Sequence, residues 1–179
     1  MPPDETGSAL VTVPDRTLVD FVAADSSLSE WRTVDDVVMG GVSRSRIHRT
    51  EDGTAVFEGT LSLENNGGFA SVRTLTEPPD LSGCKDVVVR VRGDGRRYRL
   101  RLRTDERFDG IAYQATFPTE AGEWTEVAIP FTAFEPSFRG RKPPGAPPLD
   151  PARIRQVGFL VADGQEGEFR LEVAWVRAR

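Results

Sequence analysis

Two glycine-rich stretches hold the residues whose types and spacing could do chemistry. The first reads Trp31-Arg32-Thr33-Val34-Asp35-Asp36-Val37-Val38-Met39-Gly40-Gly41-Val42-Ser43. Adjacent carboxylates before Gly-Gly and a serine suit a hard cation or a polyol, because Asp oxygens and backbone carbonyls match metal ions and sugar hydroxyls. They suit equally an architectural corner, in which Asp35 and Asp36 accept hydrogen bonds from nearby amides while the glycines take conformations closed to other residues. The second stretch reads Glu64-Asn65-Asn66-Gly67-Gly68-Phe69-Ala70-Ser71-Val72-Arg73. Asn65 and Asn66 can offer amides to a ligand. Arg73 can clamp a carboxylate, or it can join the two corners through a buried ion pair with Asp35 or Asp36, which is tolerated when fully hydrogen-bonded.

A third feature is a stripe of cations. Arg97, Arg99, Arg101 and Arg103 alternate with Tyr98, Leu100 and Leu102, and Arg90 and Arg92 stand on what reads as a neighbouring strand. On a sheet they gather on one face and attract anions or an acidic partner, unless Glu120, Glu123 and Glu126 neutralise them from adjacent strands. A nucleophilic site from Ser43, His48 and an aspartate finds no Gly-x-Ser-x-Gly elbow to support it. A hydrolase using Asp35, Asp36 or Glu64 predicts a carboxyl of raised pKa in a cleft. The single histidine excludes a multi-histidine metal centre. No GxGxxG, Walker or zinc-finger spacing occurs, so no cofactor and no metal is implied.

The composition narrows the class of partner. A net charge of −5 argues against a general nucleic-acid binder, which needs a basic footprint. One cysteine, Cys84, excludes an internal disulfide. No stretch approaches the ~20 apolar residues of a membrane span. Met1 to Asp15 lacks the basic start and apolar centre of a signal peptide, which gives a cytoplasmic expectation.

The elements that must position these residues are strands. Residues 1–16 are polar and proline-containing, and read as a flexible tail; residues 17–179 read as one domain. Leu18 to Ala23 is a short apolar run. Ala55-Val56-Phe57 leads to Gly59, Leu61 and Leu63 alternate with Ser62 and Glu64, and Asn66-Gly67 before Phe69 to Leu75 predicts a hairpin. Val87, Val89 and Val91 share a face, as do Ile111, Tyr113, Ala115 and Phe117, and as do Phe169, Leu171, Val173 and Trp175. Pro130 stops a strand begun at Trp124, and Phe134 to Asp150 is a proline-rich loop. About ten short strands without a long helical stripe predict an all-β fold: a two-sheet antiparallel β-sandwich or jelly roll.

The two corners carry a family resemblance. Val34-Asp35-Asp36-Val37-Val38-Met39-Gly40-Gly41-Val42-Ser43, Phe57-Glu58-Gly59 and Asn65 to Arg73 resemble the signature of the complex I intermediate-associated protein 30 family. The similarity continues in order through Gly93 to Tyr98, Trp124, Ile129-Pro130-Phe131, Phe138-Arg139-Gly140, Ile154 to Phe159 and Gly167 to Glu172. The resemblance implies a galactose-binding-like β-sandwich and a non-catalytic assembly factor that chaperones a respiratory-complex intermediate. It brings no catalytic residues. Without an Arg-rich amphipathic presequence, the chain is expected to be a bacterial, stand-alone version that is cytoplasmic or peripheral to the inner membrane through a protein partner. The alternative is a carbohydrate- or small-ligand-binding module. That alternative needs stacking aromatics, and besides Trp175 only Trp31, Tyr98, Tyr113 and Trp124 are Trp or Tyr. The expected binding residues are Asp35, Asp36, Asn65, Asn66, Arg73, Arg97, Arg99 and Arg101.

Overall fold

Alternating apolar and polar side chains become paired strands in a computed structural model that describes residues 16–23 and 26–179. In chain order the strands are β1 (Arg16–Asp20), β2 (Arg32–Thr33), β3 (Arg44–Arg49), β4 (Ala55–Leu61), β5 (Ala70–Leu75) and β6 (Asp86–Arg92). They continue as β7 (Arg97–Arg103), β8 (Ala112–Pro118), β9 (Trp124–Pro130), β10 (Glu135–Ser137), β11 (Gln156–Val161) and β12 (Gly167–Ala178). One sheet runs β3-β4-β12-β6-β9, with β1 also paired to β12, and the other runs β10-β8-β7-β11-β5-β2. All pairings between these strands are antiparallel, so each sheet can turn one apolar face to its neighbour and one face to solvent.

The core lies between the sheets. Val87, Val89 and Val91 of β6 and Phe169, Leu171 and Val173 of β12 meet Tyr98, Leu100 and Leu102 of β7 and Tyr113, Ala115 and Phe117 of β8. Each large side chain buried there contributes about 1.5–3 kcal/mol of transfer free energy. The architecture is the expected all-β sandwich.

Three local expectations are corrected. Asn66-Gly67 does not close a hairpin: β4 pairs with β3 and β12, β5 pairs with β11 and β2, and the stretch carries the chain from one sheet to the other. Asn65 and Asn66 take left-handed conformations there (φ 56° and 58°), whereas Gly67 is extended (φ −69°), so the positive φ falls one residue earlier than an Asn66-Gly67 turn requires. Asp94-Gly95 makes the same kind of crossing, so Arg90 and Arg92 of β6 do not lie beside the arginines of β7. In β12 the register against β6 shifts between Val173 and Trp175; Val176 and Ala178 enter the core and Trp175 turns outward against the Arg177 guanidinium. The expected tail falls outside the described residues except for Arg16, which opens β1 opposite Ala178.

Candidate functional site

The first corner is closed from within. Asp36 begins a short 3-10 turn, Asp36–Met39, and is only 1% exposed. Its Oδ1 accepts the Ser43 N–H at 2.9 Å; its Oδ2 accepts the Ser43 hydroxyl at 2.6 Å and the Gly68 N–H at 2.7 Å. Burial works against this carboxyl's ionisation, but the hydrogen bonds from Ser43, Gly68 and Phe69 outweigh it and hold its pKa below the ordinary value. The corner is tight enough to demand glycine at two positions. A Cβ on Gly41 would stand 2.4 Å from the Asp36 Cγ, and one on Gly67 would stand 2.5 Å from its Oδ2. Asp35 is half-buried and accepts the Ser45 hydroxyl at 2.6 Å and the Ser71 N–H at 3.2 Å. Burial raises its pKa despite those bonds.

The corners are therefore tied by Asp36 and backbone amides, not by the ion pair expected of Arg73. Asp36 faces inward, and its carboxylate is fully engaged within the chain. Asn65 and Asn66 are exposed on the crossing. Ser43 and His48 do not meet: the serine donates to the Asp36 carboxylate, and His48 Nε2 lies 2.9 Å from Glu58 Oε1. Asp35, the one aspartate of the pair with a raised pKa, does not line the cleft described next.

That cleft lies on the outer face of the other sheet. Period-two alternation sends Tyr98, Leu100 and Leu102 of β7 inward, and therefore sends Arg97, Arg99, Arg101 and Arg103 outward. Antiparallel register sets Gln114, Arg101, Gly158 and Arg73 in one row across β8, β7, β11 and β5. A cavity of about 760 Å³ opens over this row, lined among others by Arg73, Arg99, Arg101, Arg103, Phe108 and Met39. Arg97 lies outside it, at the exposed start of β7.

The charges in the cleft are unevenly matched. Arg99 pairs with Asp163, and Arg139 at the margin pairs with Asp109 at 2.5 Å. Arg103 donates to the Gly110 carbonyl at 2.6 Å. Arg73 lies 4.3 Å from the centre of the Phe108 ring, a cation–π distance. Neither Arg73 nor Arg101 forms a salt bridge with a carboxylate among the described residues, and the buried Nε of Arg101 has no acceptor. Burial, followed by the neighbouring Arg103, Arg73 and Arg99, pushes the Arg101 guanidinium down to about 10. Burial and Arg73 push Arg103 to about 10 as well, against the pull of Asp105 and Asp109.

The expected neutralisers are elsewhere. None of Glu120, Glu123 and Glu126 lines the cleft, and Glu126 stands opposite Arg90 on the other sheet. There Arg90 and Arg92 flank Trp124 at 5.3 and 5.2 Å, and Arg92 makes two bonds, 2.9 and 2.7 Å, to the buried Glu172. The Trp and Tyr residues are likewise away from the cleft. Tyr98 and Tyr113 are buried, Trp31 packs on Phe21, and Trp124 and Trp175 belong to the other sheet.

Sequence reasoning missed the cleft's apolar margin. Val38 and Met39 are 66% and 70% exposed, and Phe108 is 67% exposed. The available signal was Val37-Val38-Met39 itself, three consecutive apolar residues confined between an aspartate pair and a glycine pair, too short a turn to bury them all.

Comparison with known proteins agrees with this architecture. The chain is 31% identical to "Complex I intermediate-associated protein 30, mitochondrial" of Drosophila melanogaster, over 96% of this chain and 66% of that protein. It is 29% identical to the Mus musculus protein of the same name, over 83% of this chain and 52% of the relative. Among solved structures, the family 11 carbohydrate-binding module of Clostridium thermocellum, in complex with a β-1,3-1,4-mixed-linked tetrasaccharide, superposes with a TM-score of 0.67 at 16% identity, covering 92% of this chain and 95% of that one. At that identity the likeness is one of fold. No helix among the described residues is long and apolar enough to cross a membrane. Residues 19–173 match the sequence profile of complex I intermediate-associated protein 30, and the chain belongs to that family.

Proposed function

We propose that this chain is a non-catalytic binding and assembly module, which holds a respiratory-complex subunit or assembly intermediate by protein–protein contacts. The family supplies the kind of work, since its matched relatives bear the name of an intermediate-associated protein of complex I. One observation carries the choice of surface: Arg73 and Arg101, which form no salt bridge among the described residues, lie in the same cleft as exposed Val38 and Met39. Exposed apolar residues beside unneutralised cations mark a surface made to be covered. Recruitment through such a partner would hold the chain at the inner membrane.

Sugar binding is the weaker reading. It draws on the fold shared with the carbohydrate-binding module, yet the cleft offers guanidiniums and apolar side chains where a sugar face needs Trp or Tyr. Affinity capture with the tagged chain from its host's native membranes separates the two. Respiratory-chain subunits should be recovered, and a flat response on a glycan array should accompany them. Capture with no such subunit above background overturns the assembly reading.

A further inference from the structure

We infer that the cleft recognises an acidic polypeptide segment with apolar neighbours, a carboxylate being received between Arg73 and Arg101 and an apolar side chain resting on Val38 and Met39. The inference rests on the protein-binding reading above and specifies the chemistry of the partner.

The notch between the two guanidiniums is built by the sheet. Arg101 and Arg73 face each other across Gly158, with one strand between them. Gly158 cannot be larger: a Cβ there would meet the Val72 carbonyl oxygen at 2.6 Å and the Arg73 Cβ at 3.0 Å. The missing side chain leaves the floor open, so two long arginine side chains on either side can converge on one ligand. A guanidinium presents five donors in a fixed fork matched to carboxylate oxygens, and such charge-assisted bonds are the strong ones.

Internal anions do not fill the notch. Asp163 is taken by Arg99 and Asp109 by Arg139. Asp109 is nevertheless close enough to act on Arg73 and Arg103 through its charge. It is thus an internal competitor at the cleft's margin. The chain as a whole is negative by 5, so a positive cleft on it favours an oriented acidic partner over indiscriminate polyanion binding.

The apolar half of the site is tied to the Asp36 corner. Val37, Val38 and Met39 sit on the turn that Asp36 anchors, and Val38 and Met39 border the same cavity as Arg73. Methionine is a deformable contact that accepts varied apolar side chains. Carboxylate and apolar contacts side by side describe a polypeptide better than they describe a sugar or an inorganic anion.

Fluorescence anisotropy with a short labelled peptide alternating glutamate and leucine tests this. Binding is expected, and the glutamine-for-glutamate peptide should bind at least about tenfold more weakly. Arg101→Gln and Arg73→Gln should each weaken the glutamate peptide about tenfold, as loss of a charge-assisted contact requires. Met39→Ser should weaken it about threefold, and Asp109→Asn should tighten it about twofold, since an internal competitor is gone. Thermal melts confirm that each variant is folded, and the Asp109→Asn gain cannot come from misfolding.

Equal affinity for the glutamate and glutamine peptides overturns the inference, as does unchanged binding by folded Arg101→Gln. Displacement of the peptide by millimolar inorganic phosphate or by the mixed-linked tetrasaccharide, with no effect of Met39→Ser, reassigns the cleft to those ligands and also overturns it. If respiratory subunits are still captured by the Arg73→Gln, Arg101→Gln double variant, the assembly reading stands while this one falls.

Discussion

The Asp36 corner and the arginine cleft hold charge under similar confinement and treat it in opposite ways. At the corner a buried carboxylate meets two backbone N–H groups and a hydroxyl, all from within the chain. In the cleft, five guanidiniums share one cavity, and three of them, those of Arg73, Arg101 and Arg103, pair with no carboxylate among the described residues. The other sheet gives a control for residue type: Arg92 is as much an arginine as Arg101, yet it is bound twice by Glu172. Satisfaction, not charge, separates architecture from a working surface. A charge met from inside contributes to folding, whereas a charge left unmet disfavours the free state and needs a partner to offset it.

The largest effect should come from breaking the corner. Asp36→Asn keeps the shape but puts an NH2 group where one of two acceptors stood, and leaves Ser43 or Gly68 facing a donor. A loss of about 3 kcal/mol in urea unfolding is expected, the scale of buried hydrogen bonds to a charged group. Peptide binding by the folded fraction should weaken too, because the turn carrying Val38 and Met39 loses its anchor. A loss below about 1 kcal/mol would mean that the glycines and strand pairing, not the carboxylate, hold the corner.

The corner and the cleft were unequally legible in the sequence. Period-two alternation gave the strands of β6, β7 and β8 almost residue by residue, because each has one dry face and one wet face. Which strands neighbour one another was not legible. Asn-Gly marks a reversal of direction without saying which strands it joins, and here the left-handed pair is Asn65-Asn66 while Gly67 is extended (φ −69°). Asp94-Gly95 likewise joins strands of different sheets, so the arginines of β6 and β7 looked like one patch and are two. The outward turn of Trp175 was hidden for a related reason: a bulge is a property of the pairing with β6, absent from β12 alone. The β7 stripe was readable as a cationic face, but which of its arginines go without a carboxylate depends on β8, β11 and β5 standing beside it. Phe108 gave no periodic signal because it lies in a loop between β7 and β8.

Acid should loosen the corner before the cleft. The Asp36 pKa is lowered on folding, so its contribution is fully present above the unfolded aspartate value and is withdrawn as pH falls through the folded one. Asp35 works in the opposite sense, since burial raises its pKa. The difference between wild-type and Asp36→Asn stability isolates the Asp36 proton. That difference should be constant above about pH 5 and shrink below about pH 4, by up to about 1.4 kcal/mol per pH unit. A difference that stays flat to pH 2.5 would show that the carboxylate's charge adds nothing beyond its geometry.

The smallest effect has the most to say about the cleft, because its sign is the reverse of the usual one. Burial and three neighbouring arginines push the Arg101 guanidinium down to about 10, so folding disfavours its proton. For a base, a lowered folded pKa is a penalty that is complete at neutral pH and fades only as pH climbs past the folded value towards the unfolded one. Arg101→Leu removes that penalty and the Nε that lacks an acceptor, while the long apolar stem keeps an apolar substitute in the same place. The variant should therefore be more stable than wild type by about 1 kcal/mol at pH 7 while losing the glutamate peptide. High salt should narrow the stability gap, because screening relieves the mutual repulsion of Arg73, Arg99, Arg101 and Arg103. A stabilised, non-binding variant would mark Arg101 as retained for its partner at the fold's expense; a destabilised one would place it with Arg92, among the arginines that hold the sandwich together.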